Sequence, residues 1–320
     1  MTVANLDLVA EARASQARAV ARLMSWAERG DPRFATAHAE FAAELGGARR
    51  LGITGPPGAG KSTLVEALAR HVRDTSDRTL GILAVDPSSP FSGGALLGDR
   101  VRMTSLALDP GVFIRSMATR GAFGGLARAT DDLADVLDLS GRDLILVETV
   151  GVGQSEVDVA RSSDLTLVVL HPGGGDTIQA MKAGLLEAAD VYVLNKAELP
   201  GAQRLRAELE DALALRTSGA PLPVILETSA STGAGIPELA AALDAECAAR
   251  QADGRLAARR RDNLERRVQR LVEARLLVAA WQERGLAARL AELLAQPIAQ
   301  NAAHASAWAL SDTLLAEDTP

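Results

Sequence analysis

Apolar residues fall along this chain in two rhythms. From Leu51 onward they gather in short runs, LGIT, TLGILAV, VFIRS, DLILVE, DLTLVVL, DVYVLN and PVILE, each followed by polar or glycine-rich residues. Between several of these runs the apolar positions recur every three or four residues, as in Lys61–Arg73 and near Leu126–Leu139. Short buried strands alternating with helices predict an α/β fold, a mostly parallel sheet flanked by helices on both faces. In such a sheet the ligand-binding residues lie in loops beyond the carboxyl ends of the strands. The flanks of the chain follow the helical rhythm alone. Val9, Ala12, Ala19, Val20, Leu23 and Trp26 predict one amphipathic helix over Leu8–Glu28 ending at Gly30, and a second helix is expected over Arg33–Leu45 before Gly46 and Gly47 break the pattern. After Gly254 long helical stretches interleave Arg259, Arg260, Arg261, Arg266, Arg267, Arg270 and Arg275 with Leu264, Val268, Leu271 and Val278. Asp262, Glu265 and Glu273 are interspersed, so these arginines read as a solvated or dimer-facing stripe, not as a nucleic-acid surface.

The first strand runs directly into Gly55-Pro56-Pro57-Gly58-Ala59-Gly60-Lys61-Ser62, which completes the pattern G-x-x-x-x-G-K-[ST] of a phosphate-binding loop. Glycine and proline build a turn whose backbone N–H groups face phosphate oxygens, where side chains would block the approach. Lys61 is placed to reach the β- and γ-phosphates, the Ser62 hydroxyl to ligate Mg²⁺, and the helix starting near Lys61 to present its positive end to the anion. The expected organisation is an N-terminal helical extension over residues 1–47, a P-loop nucleotide-binding domain over 48–250 and a C-terminal helical region over 251–320.

Composition narrows this picture. Of 320 residues, 41 are acidic and 34 are Lys or Arg, a net charge of −7 that argues against general nucleic-acid or membrane-surface binding. Phosphate affinity must therefore be local. Aromatics make up 3%, too few for a base-stacking platform. The single cysteine, Cys247, excludes an intramolecular disulfide or a multi-cysteine zinc site and reads as a small buried or half-buried helix residue. Asp7, Glu11 and Glu28 interrupt the first thirty residues, no run approaches a membrane span, and a cytoplasmic location is the expectation.

Other strand ends carry further chemistry. Asp86 closes TLGILAVD, and Asp99 follows beyond a flexible turn; both are candidates to hold Mg²⁺ directly or through water. Taken alone, Asp86 is a turn residue before a proline and Asp99 a helix N-cap; beside a phosphate loop they gain the metal-side reading. Glu148 ends the next strand in VETVGVGQSE, suited to a metal or the attacking water, and Gly151 three residues on offers a backbone N–H to a γ-phosphate. Asn195, Lys196 and Glu198 in NKAE nearly complete the Asn-Lys-x-Asp base-reading motif of GTPases, in which the carboxylate accepts from guanine N1–H and the exocyclic amine. Here that carboxylate is one methylene longer. Ser229 and Ala230 in ETSASTG occupy the position where a GTPase backbone supports the guanine O6, or else form a simple Ser/Thr-rich turn.

The ordered set GPPGAGKST, DPSSPFSGGALLGDRVRM, ETVGVGQSE, HPGGGDTIQAMKAG and NKAE resembles the GTPases that accompany adenosylcobalamin-dependent acyl-CoA mutases, the MeaB/ArgK type, over about Leu51–Leu243. The resemblance implies a P-loop NTPase fold with GTP, GDP and Mg²⁺ as ligands. It places the phosphate site on Gly58, Ala59, Gly60, Lys61, Ser62 and Thr63, and the acidic metal and catalytic positions on Asp86, Asp99 and Glu148. It also places a partner-sensing loop over Gly173–Lys182, with Asp176, Gln179 and Lys182 its informative side chains. Further implications are a homodimer through C-terminal helices, an acyl-CoA mutase partner (methylmalonyl-CoA mutase or a relative) and a chaperone role in which GTP turnover gates cofactor loading and protects the mutase. Neither nucleic acid nor membrane is an expected partner. Three alternatives stand beside it. A nickel-insertion GTPase would need a metal-delivery cluster, whereas His38, His71, His171 and His304 are scattered. A small-molecule kinase would need an acceptor pocket, and a structural dimer would bind GTP without turnover.

Overall fold

The computed structural model describes residues 3–86, 106–118, 125–149, 151, 162–173, 189–215, 222–283 and 285–294. Its centre is a seven-stranded sheet ordered β3-β2-β4-β1-β5-β6-β7, with every pairing parallel. The strands are β1 (Arg49–Thr54), β2 (Leu80–Asp86), β3 (Val112–Ala118), β4 (Leu144–Glu148), β5 (Leu165–Leu170), β6 (Val191–Asn195) and β7 (Val224–Thr228). These are the seven apolar runs of the sequence. An all-parallel sheet must be covered on both faces, which is why its strands are apolar at nearly every position and not at alternate ones.

Alternation decides which helix each strand residue meets. Leu51, Ile53, Leu80, Ile82, Leu144, Leu146, Leu165 and Leu167 pack with α4 (Lys61–Thr75) through Leu64, Val65 and Leu68, and with the helix Ile236–Ala252 through Leu239 and Leu243. Cys247 is buried in the same layer. On the opposite face Leu83, Val85, Ile145 and Val147 meet α5 (Gly125–Leu139) and the N-terminal helices α1 (Val3–Arg13), α2 (Ala17–Arg29) and α3 (Pro32–Phe41), through Leu23, Met24 and Phe41. Val168, Leu170, Tyr192 and Leu194 pack with α6 (Ala202–Ala214) through Leu205, Leu209 and Leu213.

The N-terminal flank departs from its sequence pattern. Where one helix was expected over Leu8–Glu28, α1 ends at Arg13, Ser15 takes a positive φ of 58°, and α2 begins at Ala17. The Ser15 hydroxyl donates to the Ser140 carbonyl at 2.5 Å, a long-range bond that the local apolar spacing cannot register. Gly30 does end α2, in the left-handed region. The expected helix to Leu45 stops at Phe41 and continues as a 3₁₀ turn over Ala42–Glu44. Asp31 caps α3 by accepting from the Arg33 amide.

The chain divides into two compact units, residues 1–263 and 264–320. Helix α7 (Ile236–Ala252) lies in the first, and α8 (Arg255–Val278) begins there; α9 (Leu286–Leu294) belongs to the second. The arginine stripe does not behave as a unit. Arg259 donates to the Ser163 carbonyl and the Thr166 hydroxyl, each at 2.8 Å, and lies 3.4 Å from Asp190. Arg260 grips Asp164 with two 2.8 Å hydrogen bonds and donates to the carbonyls of Gly46 and Ala48. These two side chains fasten α8 to the amino ends of β1 and β5 and are not part of a solvated face.

Asp164 is buried and also accepts from the Arg50 amide, so Arg260→Ala leaves a buried carboxylate short of its cation. The expected loss is about 2–4 kcal/mol of unfolding free energy in urea titration, with Arg260→Lys recovering only part because one ammonium cannot reach all three oxygen groups.

Candidate functional site

The carboxyl end of β1 opens into the phosphate loop at Gly55, whose φ is +146°. A Cβ there would stand 2.1 Å from the Val169 carbonyl oxygen on β5, so no other residue fits. At the other end of the loop Gly60 has φ +84°, and a Cβ would lie 2.5 Å from the Asn195 side-chain amide. Helix α4 starts at the next residue. Lys61 is buried, and its ammonium donates to the Gly55 and Pro56 carbonyls at 2.9 and 3.1 Å, curled over the loop that precedes it. Gly58 and Thr63 are exposed, Ala59 is buried, and Gly60 and Ser62 are half-buried.

Register brings the acidic side to the same place. Ile53 pairs with Glu148 across β1 and β4, and the Ser62 hydroxyl donates to Glu148 Oε1 at 2.6 Å. Glu148 is 5% exposed, a buried carboxylate at the mouth of an anion-binding loop. Gly151 is buried beside Pro57: a Cβ on it would meet the proline ring at 3.9 Å. The backbone of Asp86 ends β2 next to β4, since Ala84 pairs with Glu148. The Asp86 side chain lies outside the described residues, as do Asp99, Asp176, Gln179 and Lys182.

On the other side of the loop Asn195 joins three segments. Its Nδ2 donates to the Ala59 carbonyl at 2.8 Å, and its Oδ1 accepts from the Thr228 hydroxyl at 3.1 Å and the Ala230 amide at 3.0 Å. Lys196, in the left-handed region at φ 59°, begins a turn closed by the Leu199 amide on its carbonyl, which leaves Glu198 exposed. Ser229 and Ala230 are buried, and the Ser229 amide donates to the Ala234 carbonyl. A cleft of about 430 Å³ between α4 and the turn before α7 is lined in part by Thr63, Ala230, Ser231 and Ile236. The structure therefore brings together Lys61, Ser62 and Glu148 at one side of the loop, and Asn195 and Ala230 at the other.

Comparison with known proteins places this geometry. The family model for methylmalonyl-CoA mutase-associated GTPase MeaB matches residues 20–284. The chain belongs to the MeaB family. A Pyrococcus horikoshii relative is 44% identical over 270 residues, covering 83% of this chain and 85% of that one. The mouse protein named methylmalonic aciduria type A homolog, mitochondrial, is 44% identical over 195 residues, 59% of this chain and 47% of its own. A crystal structure titled LAO/AO transport system kinase superposes with a TM-score of 0.71 at 26% identity, over 98% of this chain and 99% of that one. This MeaB-family chain is accordingly a P-loop GTP hydrolase that binds guanine nucleotide. The family match also runs beyond Leu51–Leu243 into both flanks.

Three residues near the site have no role in the motifs that contain or adjoin them. Thr54 and Thr228 end β1 and β7 with buried hydroxyls engaged by Gly151 and Asn195. Their one sequence signal is a polar residue closing an apolar strand. His171 follows β5, one residue past Leu170, which pairs with Leu194 of β6. Its Nδ1 is buried without a hydrogen-bond partner among the described residues. Of the arginines near the motifs, Arg115 is tied to Glu28 and the Ser25 hydroxyl of α2, a structural role; Arg100 and Arg120 lie outside the described residues. Among the described residues no group of three His, Cys, Asp or Glu is placed to hold a metal ion, and no helix is long and apolar enough to cross a membrane.

Burial first, then the ammonium groups of Lys196 and Lys61, hold the His171 imidazole below its ordinary value of 6.5. A lowered folded value means that the unfolded chain takes up the proton first as pH falls. His171 thus contributes stability that is complete above about pH 6.5 and is lost on acidification through its folded value. Thermal unfolding of the nucleotide-free protein should lose melting temperature below pH 6.5 less steeply in His171→Gln than in wild type; identical slopes would refute this assignment.

Proposed function

We propose that this GTPase serves an adenosylcobalamin-dependent acyl-CoA mutase, methylmalonyl-CoA mutase or a relative, and that GTP binding and hydrolysis gate cofactor loading and protect the mutase from inactivation. The observation that carries this reading is the family match over residues 20–284, whose description associates the family with methylmalonyl-CoA mutase. The exposed apolar positions Leu264, Val268, Leu271 and Val278 of α8, spaced by four, three and seven residues, support a homodimer that covers this face.

The chemistry begins with Lys61, whose ammonium leaves the Gly55 and Pro56 carbonyls for the β- and γ-phosphate oxygens. The amides of Gly58, Ala59, Gly60, Ser62 and Thr63 cradle the phosphates, and the Gly151 amide meets the γ-phosphate. Glu148 and Asp99 orient the attacking water. Asn195, Lys196 and Glu198 hold the base with Ser229 and Ala230. Ser62 and Glu148 offer hard oxygen donors side by side, a set that fits Mg²⁺, and Asp86 and Asp99 would complete it. Bound there, the ion would neutralise charge on the phosphate oxygens. Asp176, Gln179 and Lys182 are assigned to sensing the partner. Arg115, an arginine near the motifs that could otherwise neutralise charge on the γ-phosphate, is committed to Glu28, so intrinsic turnover is slow and the partner accelerates it.

Phosphate release from GTP, with ATP as control, should be selective for GTP and rise at least about tenfold when a purified cobalamin-dependent acyl-CoA mutase from the same source is added. Turnover indifferent to the mutase would sink the partner assignment. In the same assay Glu198→Asp should sharpen the preference for GTP over ATP by about two- to tenfold, because the shorter carboxylate suits the guanine donor pair; an unchanged ratio would show that Glu198 does not read the base.

A further inference from the structure

The β1–β4 ladder does not stop where β1 leaves the sheet. Its last backbone rung is the Thr149 amide donating to the Ile53 carbonyl at 2.9 Å. Two residues later β1 turns into the phosphate loop at Gly55, and among the described residues no further backbone hydrogen bond joins it to the end of β4. The side chain of Thr54 supplies the next rung instead: its hydroxyl donates to the Gly151 carbonyl at 2.9 Å, inside the protein. The Thr149 hydroxyl backs this contact, 3.3 Å from the Ile53 carbonyl and 3.4 Å from that of Gly151. Thr54 is fully buried, so its hydroxyl has no competition from water, and among the described residues the Gly151 carbonyl accepts from two side chains, Thr54 and Thr149.

We propose that Thr54 is a positioning residue for GTP: by fixing the carbonyl of Gly151 it sets the orientation of that residue beside Pro57, and so aims the Gly151 amide at the γ-phosphate. The carbonyl and the amide of one residue belong to successive peptide units, so Thr54 can hold the first while the second donates to the nucleotide. GDP has no γ-phosphate and does not draw on this arrangement. The contact therefore discriminates between the two nucleotides without touching either. The inference rests on the assignment of the Gly151 amide to the γ-phosphate.

Thr54→Val keeps the shape and removes the hydroxyl, and Thr54→Ser keeps the hydroxyl and removes the methyl. Equilibrium binding of GDP and of a non-hydrolysable GTP analogue, with single-turnover GTP hydrolysis, separates the possibilities. In Thr54→Val the analogue affinity and the hydrolysis rate should each fall about tenfold while GDP affinity stays within about twofold, and Thr54→Ser should recover the analogue affinity. Equal losses for GDP and the analogue would overturn the proposal in favour of general loop support, as would a Thr54→Val protein with unchanged analogue preference. Gly151→Pro, which deletes the amide, distinguishes the two levels. Loss of analogue preference there with Thr54→Val unaffected refutes Thr54 alone, whereas retained preference in Gly151→Pro refutes the Gly151 assignment and the proposal with it.

Discussion

Every part of the nucleotide site hangs on the point where β1 passes between β4 and β5 and stops being a strand. At Gly55 the backbone comes so close to the Val169 carbonyl that a single carbon would collide with it. The loop is thus pressed against a strand that is itself buried on both faces, and it takes its shape from the sheet more than from its own sequence. Packed cores of this kind move as discrete alternatives and not as continuously deformable matter. The ends of the loop are consequently fixed during folding, one by Val169 and the other by Asn195.

The two halves of the site are coupled through Asn195. One buried amide satisfies the Ala59 carbonyl, the Thr228 hydroxyl and the Ala230 amide, so the carboxyl ends of β6 and β7 and the loop after β1 share one set of hydrogen bonds. Loss of that side chain would orphan three buried polar groups, at roughly 1–3 kcal/mol each. The role shown is architectural: the asparagine of NKAE ties the loop after β1 to the carboxyl end of β7. Gly60 is glycine for the same reason, since a larger residue would push this amide away.

Much of this was legible in the residue order. The seven strands were plain because a parallel sheet covered on both faces demands unbroken apolar runs, and the phosphate loop because its glycines answer to backbone geometry. What escaped depends on contacts far apart in the chain. The break at Ser15 is joined to a carbonyl at Ser140, and Arg259 and Arg260 meet Ser163, Asp164 and Asp190, which no local period reveals. Thr54 escaped because a threonine at a strand end is ordinary until the partner carbonyl of Gly151 is seen. Glu198 was legible as a departure from the GTPase pattern, and the fold shows only that it stands exposed on a tight turn, since its effect lies in the base it would meet.

The strand order carries a consequence for synthesis. Arg49 of β1 must find Leu144 on one side and Leu51 must find Leu165 on the other, both far along the chain. A nascent chain leaving the ribosome therefore carries its phosphate-loop strand with two open edges until β4 and β5 have emerged. Long-range parallel pairing of this kind is slow, and unpaired apolar edges invite association. The segment that gives the finished protein its ligand is, during translation, its most exposed liability.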